Sequence, residues 1–215
     1  MPGLRLARDW PTKADVVTED EWLACDDPEP MLGQLEGLAT DRQLRTFGVA
    51  CIRRVWHLLR YERGRAAVEV AERFAEGGAG EVDLAKAFAS MTMIPVGDGF
   101  INVPSPRWFT PDPSEPLPGY RGEPGDHGAM GAAQAVCSAD ARYSASEGSR
   151  RAAEAVAEVA WHEAKIGLDW GDFPEAHRRA KEIARGARSA ERREQAMLLR
   201  RTFGGRPPRY TSAGE

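Results

Sequence analysis

Between Asp41 and Gly77 the chain sets apolar side chains at intervals of three and four residues, and this spacing constrains the fold more than any other feature. One row runs through Leu44, Phe47, Cys51, Val55 and Leu58, and a second through Gly48, Ile52, Trp56 and Leu59. Together they are too broad a stripe for a helix covered on one side only, so the spacing predicts a helix buried in a bundle. Arg42, Arg45, Arg53 and Arg60 are left for its wet face. Thr40 and Gln43 stand three apart at its start, where a hydroxyl and an amide can each satisfy the other's backbone N–H. The following stretch, ERGRAAVEVAERFAEGG, aligns Ala67, Val70 and Phe74 on one face and stops at Gly77 and Gly78. The two segments read as an αα-hairpin with its turn near Tyr61 to Gly64.

Upstream, TEDEWLA carries the same capping pattern in Thr18 and Glu21. DDPEPML offers Asp27 as a cap with Pro28 in the first turn, where a missing N–H costs nothing. Short helices are therefore expected on both sides of Cys25. Residues 81–90 fit one more. Residues 95–124 then hold eight of the fifteen prolines, a density at which helices cannot continue, together with Phe100, Trp108, Phe109 and Tyr120. Helical character returns at about Ala129, strengthens across SRRAAEAVAEVAWHEAKIG, and fills the chain from Pro174 to Phe203. In the last helix Ala180, Ile183, Ala187 and Ala190 form a narrow, small-residue stripe ahead of Met197, Leu198 and Leu199. No strand-like alternation and no internal repeat stand out. The reading is all-α: an irregular bundle of about six helices at residues 18–203, crossed by a Pro-rich loop at 95–124. An arm at 1–17 and a tail at 204–215 flank it.

Composition narrows the function classes. The net charge of −4 argues against a protein built throughout to coat nucleic acid. The average conceals asymmetry, because residues 175–215 hold eleven Lys or Arg against five Asp or Glu. Cys25, Cys51 and Cys137 lie far apart in no CxxC pattern and read as free thiols of a reducing compartment. With no apolar run of signal-peptide or membrane-span length, the expected location is cytoplasmic, with no membrane partner.

Several motifs, TEDEWLACDDPEPMLGQLEG, TDRQLRTFGVACIRRVWHLL, ERGRAAVEVAERFAEG and ERREQAMLLRRTFG, resemble a helical family numerous in planctomycete-type bacterial genomes. The resemblance covers about residues 18–77 and, more loosely, 191–204. It implies a helical fold and no particular reaction, cofactor or catalytic residue. The chain departs from the pattern at Cys51, which is followed by Ile52 where the family tends to have a second cysteine, in the Pro-rich segment, and after Phe203–Gly204.

Candidate chemistry is sparse. Cys51 and His57 are six apart, well off a common helical row, so they read as packing and its margin. His127, His162 and His177 show no metal-ligand spacing, and Asp26, Asp27, Asp169 and Asp172 sit beside Pro or Gly as caps and turns. PVGDGF and RGEPGDHG lack the Lys-Ser/Thr ending of a phosphate loop. No catalytic residue, metal site or cofactor is expected; an enzyme would need His162, Glu158 or Cys137 to converge in a polar pocket. The feature richest in function is a cationic row, Arg178, Lys181, Arg185, Arg188 and Arg192, which lines one helical face over about 20 Å. It is either a solvated face paired with the acidic remainder of the chain or a surface for an anionic partner. Trp108 and Phe109, between prolines, either cover the core or anchor a partner. These features point first to a non-catalytic protein-interaction module with an unknown protein partner, and second to nucleic-acid binding through the arginine-rich helix.

Overall fold

The computed structural model describes residues 17–96, 99–102, 124–168 and 172–205. Its helices are α1 (Glu19–Ala24), α2 (Pro28–Gln34), α3 (Asp41–Arg54), α4 (Glu62–Glu76), α5 (Glu81–Thr92), α6 (Asp126–Val136), α7 (Ala141–Gly167) and α8 (Phe173–Phe203). The fold is all-α, and every residue of its two core clusters except Val17, just ahead of α1, lies on a helix or a connection between helices.

Local chemistry sets the helix starts. The Glu21 amide donates to Thr18 Oγ1 at 3.2 Å while the Thr18 amide donates to Glu21 Oε2 at 3.1 Å. Thr40 and Gln43 repeat the exchange at 3.3 and 3.0 Å. Asp27 accepts from the Glu29 amide at 2.9 Å ahead of Pro28. At the end of α4, Gly77 takes a left-handed φ of 84°, which closes the last turn at little steric cost. α6 differs: its N-cap is Gly125, which has no side chain to offer, so the cap must come from elsewhere in the fold.

α3 lies between two apolar clusters. Val49, Ile52 and Val55 join Leu59, Val68, Leu84, Met91 and Val136, with small alanines of α6 and α7. Phe47 and Cys51 face the other way, toward Trp22, Met31, Leu35 and Leu199. Each fully buried Leu, Ile or Phe contributes about 1.5–3 kcal/mol of hydrophobic stabilisation, so this helix holds both clusters together. Glycine permits the tightest crossings. A Cβ on Gly48 would stand 2.9 Å from the Ser144 carbonyl oxygen of α7, and one on Gly128 of α6 would stand 2.9 Å from Ala155.

The structure corrects the sequence reading in four places. There are eight α-helices among the described residues rather than about six: α1 and α2 are the two short helices expected beside Cys25, and the helical stretch after residue 124 divides into α6 and α7. α3 ends at Arg54; a 3-10 turn over Trp56–Leu58 follows, which swings both Leu58 and Leu59 into the core. Arg45 leaves the wet face. It is 5% exposed, donates to the carbonyls of Ser138 and Ala139, and lies 4.9 Å from the Phe74 ring centroid. Finally, residues 93–102 contain a hairpin, with β1 (Met93–Val96) antiparallel to β2 (Gly99–Asn102) and Met93 opposite Asn102. Of the expected arm at 1–17 and tail at 204–215, residues 1–16 and 206–215 lie outside the described residues, whereas Val17 packs into the second cluster.

Candidate interaction surface

α7 and α8 form an antiparallel pair that is longer than the bundle covering it. From Ala141 to Ala155, α7 buries eight side chains or backbone positions. Val156 and Val159 pack at the edge of the core, and beyond them no residue of α7 is buried. In α8 only Ala176 and Ala180 are buried between Phe173 and Ala190. The pair therefore continues past the bundle as a two-helix arm. Ile166 at its tip is 88% exposed, Phe173 is 61% exposed, and Ile183 is 48% exposed.

The cationic row on α8 divides at the same boundary. Arg192 is folded into the bundle: its side chain is 16% exposed and ion-paired with Asp27 and Glu29 of α2 and its cap. Arg188 reaches Glu154 of α7 at 3.7 Å. Arg178 shares Glu175 with Arg179, at 2.7 and 2.9 Å. Lys181 and Arg185 are exposed and find no carboxylate. Arg192 is thus paired with acidic residues of the same chain, whereas Lys181 and Arg185 are exposed without a carboxylate partner. Arg200, outside the row, donates to the Trp22 and Cys25 carbonyls and helps fix α1 on α8.

The small-residue stripe also divides. Ala180 is fully buried against the pair, whereas Ile183 turns outward. On that flank Val156, Ala187, Ala190 and Met197 line a shallow groove whose rim carries Asp26, Arg54, Arg193 and Glu194. Trp108 and Phe109 lie outside the described residues.

The three side chains an enzyme would need do not converge. Glu158 accepts the backbone N–H groups of Gly125 and Gly128, supplying the cap that α6 lacks in its own sequence. Burial raises its carboxyl pKa against those two bonds, and the neighbouring Asp126 pushes the same way. Cys137 closes the opposite end of α6, about 16 Å away along the helix, where its thiol donates to the Ala67 carbonyl at 3.3 Å. Burial pushes that thiol up to about 12, so it is not a nucleophile near neutral pH. His162 lies one turn beyond Glu158, edge-on to Trp161 at 5.1 Å, and burial followed by the Lys165 charge lowers its pKa.

Cys51 is fully buried and its thiol is pushed well up by burial, while His57 is exposed on the 3-10 turn; the two share no site. His177 stacks on Phe173 at 5.6 Å. Among the described residues no three His, Cys, Asp or Glu side chains are grouped to hold a metal ion, and no helix is long and apolar enough to cross a membrane.

Sequence reasoning missed the role of Glu158 altogether. The available signal was an unsupported Gly125 at a helix start, which requires an acceptor without saying which residue provides it. Compared with protein-family models, with curated proteins and with solved structures, the chain matches none.

Proposed function

We propose that this protein is a non-catalytic interaction module that engages a protein partner through the α7–α8 arm. The observation that supports the reading is the exposure of two large apolar side chains toward the end of the arm, Ile166 at 88% and Phe173 at 61%, on paired helices. Side chains of this kind repay their exposure when a partner covers them, and pre-ordered helices keep the entropy of docking low. Within the same proposal, the motifs behind the family resemblance serve the bundle: Trp22, Cys25 and Cys51 fill its second cluster. A cytoplasmic setting belongs to the proposal too, on the strength of three buried free thiols.

A tagged pull-down from the native host at moderate salt, with and without nuclease, tests this. A protein recovered in both arms, and lost with Ile166→Ser/Phe173→Ser, is the expected result. Recovery indifferent to that double variant would sink it.

Nucleic-acid binding is the second reading, and the unpaired Lys181 and Arg185 favour it. It requires recovery that vanishes with nuclease and affinity that falls steeply with salt.

A further inference from the structure

The register of the α7–α8 pair places a cluster that neither helix shows alone. Arg188 meets Glu154, and Gln195 donates to the Ser149 carbonyl at 3.0 Å. Extending that antiparallel register toward the tip sets Lys181 level with Trp161 and Arg178 level with Lys165. Lys165 in turn lies 4.2 Å from the Trp161 ring centroid. One flank of the arm therefore combines Arg178, Lys181, Arg185 and Arg188 with Lys165 around a half-buried indole. Of the neighbouring carboxylates, the exposed Glu182 pairs with neither Lys181 nor Arg185, and the others are shared or engaged. Glu154 is also held by Arg150, Glu175 serves both Arg178 and Arg179, and Glu158 caps α6.

We propose that this flank seats an acidic, amphipathic protein segment whose carboxylates meet Lys181 and Arg185 and whose apolar side chains cover Trp161. The inference rests on the arm being the contact surface and adds the chemistry of its partner. Charge complementarity selects the occupant: cations three and four residues apart on α8 match carboxylates repeating at the same interval on a facing helix. Nucleic acid fits less well. Only two cations of the flank are free of carboxylates, whereas duplex-binding proteins commonly neutralise about six to ten phosphates, and the chain as a whole carries −4.

The test uses the full chain with a photo-crosslinking residue at Ser189, beside the basic flank, and a control at Ala190 on the groove side. Crosslinking in host lysate after nuclease treatment, followed by sequencing of the attached peptide, should return a segment richer in Asp and Glu than in Lys and Arg. The purified segment should bind at least about tenfold more weakly to Lys181→Glu/Arg185→Glu. The variant Lys181→Arg/Arg185→Lys should bind within about twofold of wild type, since it preserves both charges. A neutral or basic peptide, attached nucleic acid, no crosslink above the control, or binding unchanged by charge reversal would each overturn the proposal. If charge reversal changes nothing while Ile166→Ser/Phe173→Ser abolishes capture, the arm remains the contact surface and only the partner's acidity is refuted. If neither variant alters capture, both readings fall. All four positions are exposed, and circular dichroism of each variant verifies that the helices persist.

Discussion

The two ends of α8 use similar residues for different purposes. From Glu191 to Phe203, Glu191, Arg192 and Arg200 are drawn into the bundle, while Arg193, Glu194 and Arg201 stay exposed. Arg54 grips the 8%-exposed Glu191 with Nε at 2.8 Å and Nη2 at 3.1 Å, Gln195 is fully buried, and Arg192 and Arg200 tie down α2 and α1. From Phe173 to Ala190, the same helix buries only Ala176 and Ala180, and Lys181 and Arg185 remain exposed. An arginine is structural or available according to what stands opposite it. The helix itself does not decide.

This contrast can be broken or sharpened by measurement. Leu199→Ala should lower the unfolding free energy by about 2–5 kcal/mol, because it opens a cavity in the second cluster. Urea unfolding should show the midpoint falling at an unchanged slope. Ile183→Ala, on the same helix, should leave the melting temperature within about 2 °C, and a larger drop would mean that the arm is packed after all.

Next in size, Arg192→Ala should cost about 1–2 kcal/mol, since it strips charged hydrogen bonds from Asp27 and Glu29. Native-state hydrogen exchange sharpens the same point: in that variant, amides of α2 should lose protection first, while those at the arm's tip exchange as before.

A third effect lies along α7 and separates its two ends by sign. Burial acts to raise the Glu147 carboxyl, but its bonds to Arg150 and Arg151 outweigh that and hold it below the usual range. Its contribution to stability is therefore present above the unfolded-state pKa and lost as pH falls through the depressed folded value. Glu158 is raised by burial, so it penalises the folded state progressively as pH climbs from the unfolded value toward the raised one. Carboxyl NMR titration should find the two midpoints on opposite sides of the ordinary glutamate value; two midpoints on one side would contradict this account. Smallest of all, Lys181→Ala should leave the melting temperature within about 2 °C while weakening capture of an acidic partner, a separation of stability from binding that Arg192→Ala cannot show.

Much of the helical framework was legible because its causes are local. Thr18 with Glu21, Thr40 with Gln43, Asp27 with Pro28, and Gly77 each act within one turn, and each stands where its spacing indicates. The breadth of the apolar stripe on α3 likewise foretold burial on two sides, with Phe47 and Ile52 in different clusters. Arg45 was misread because its partners, the carbonyls of Ser138 and Ala139, lie more than ninety residues away, and a cation's spacing says nothing about a distant acceptor. The hairpin at 93–102 escaped for another reason: four-residue strands are too short to show alternation.

By itself, then, the sequence determined where helices begin and stop and which of their faces are apolar, since hydrogen-bonding caps and a 3.6-residue period are properties of neighbouring residues. Only the tertiary structure decided that Glu158 would cap α6, that Arg192 would be spent on α2, and that Lys181 and Arg185 would stay exposed. Those outcomes depend on how far one helix extends past another, and so on the packing of segments that are remote from one another along the chain.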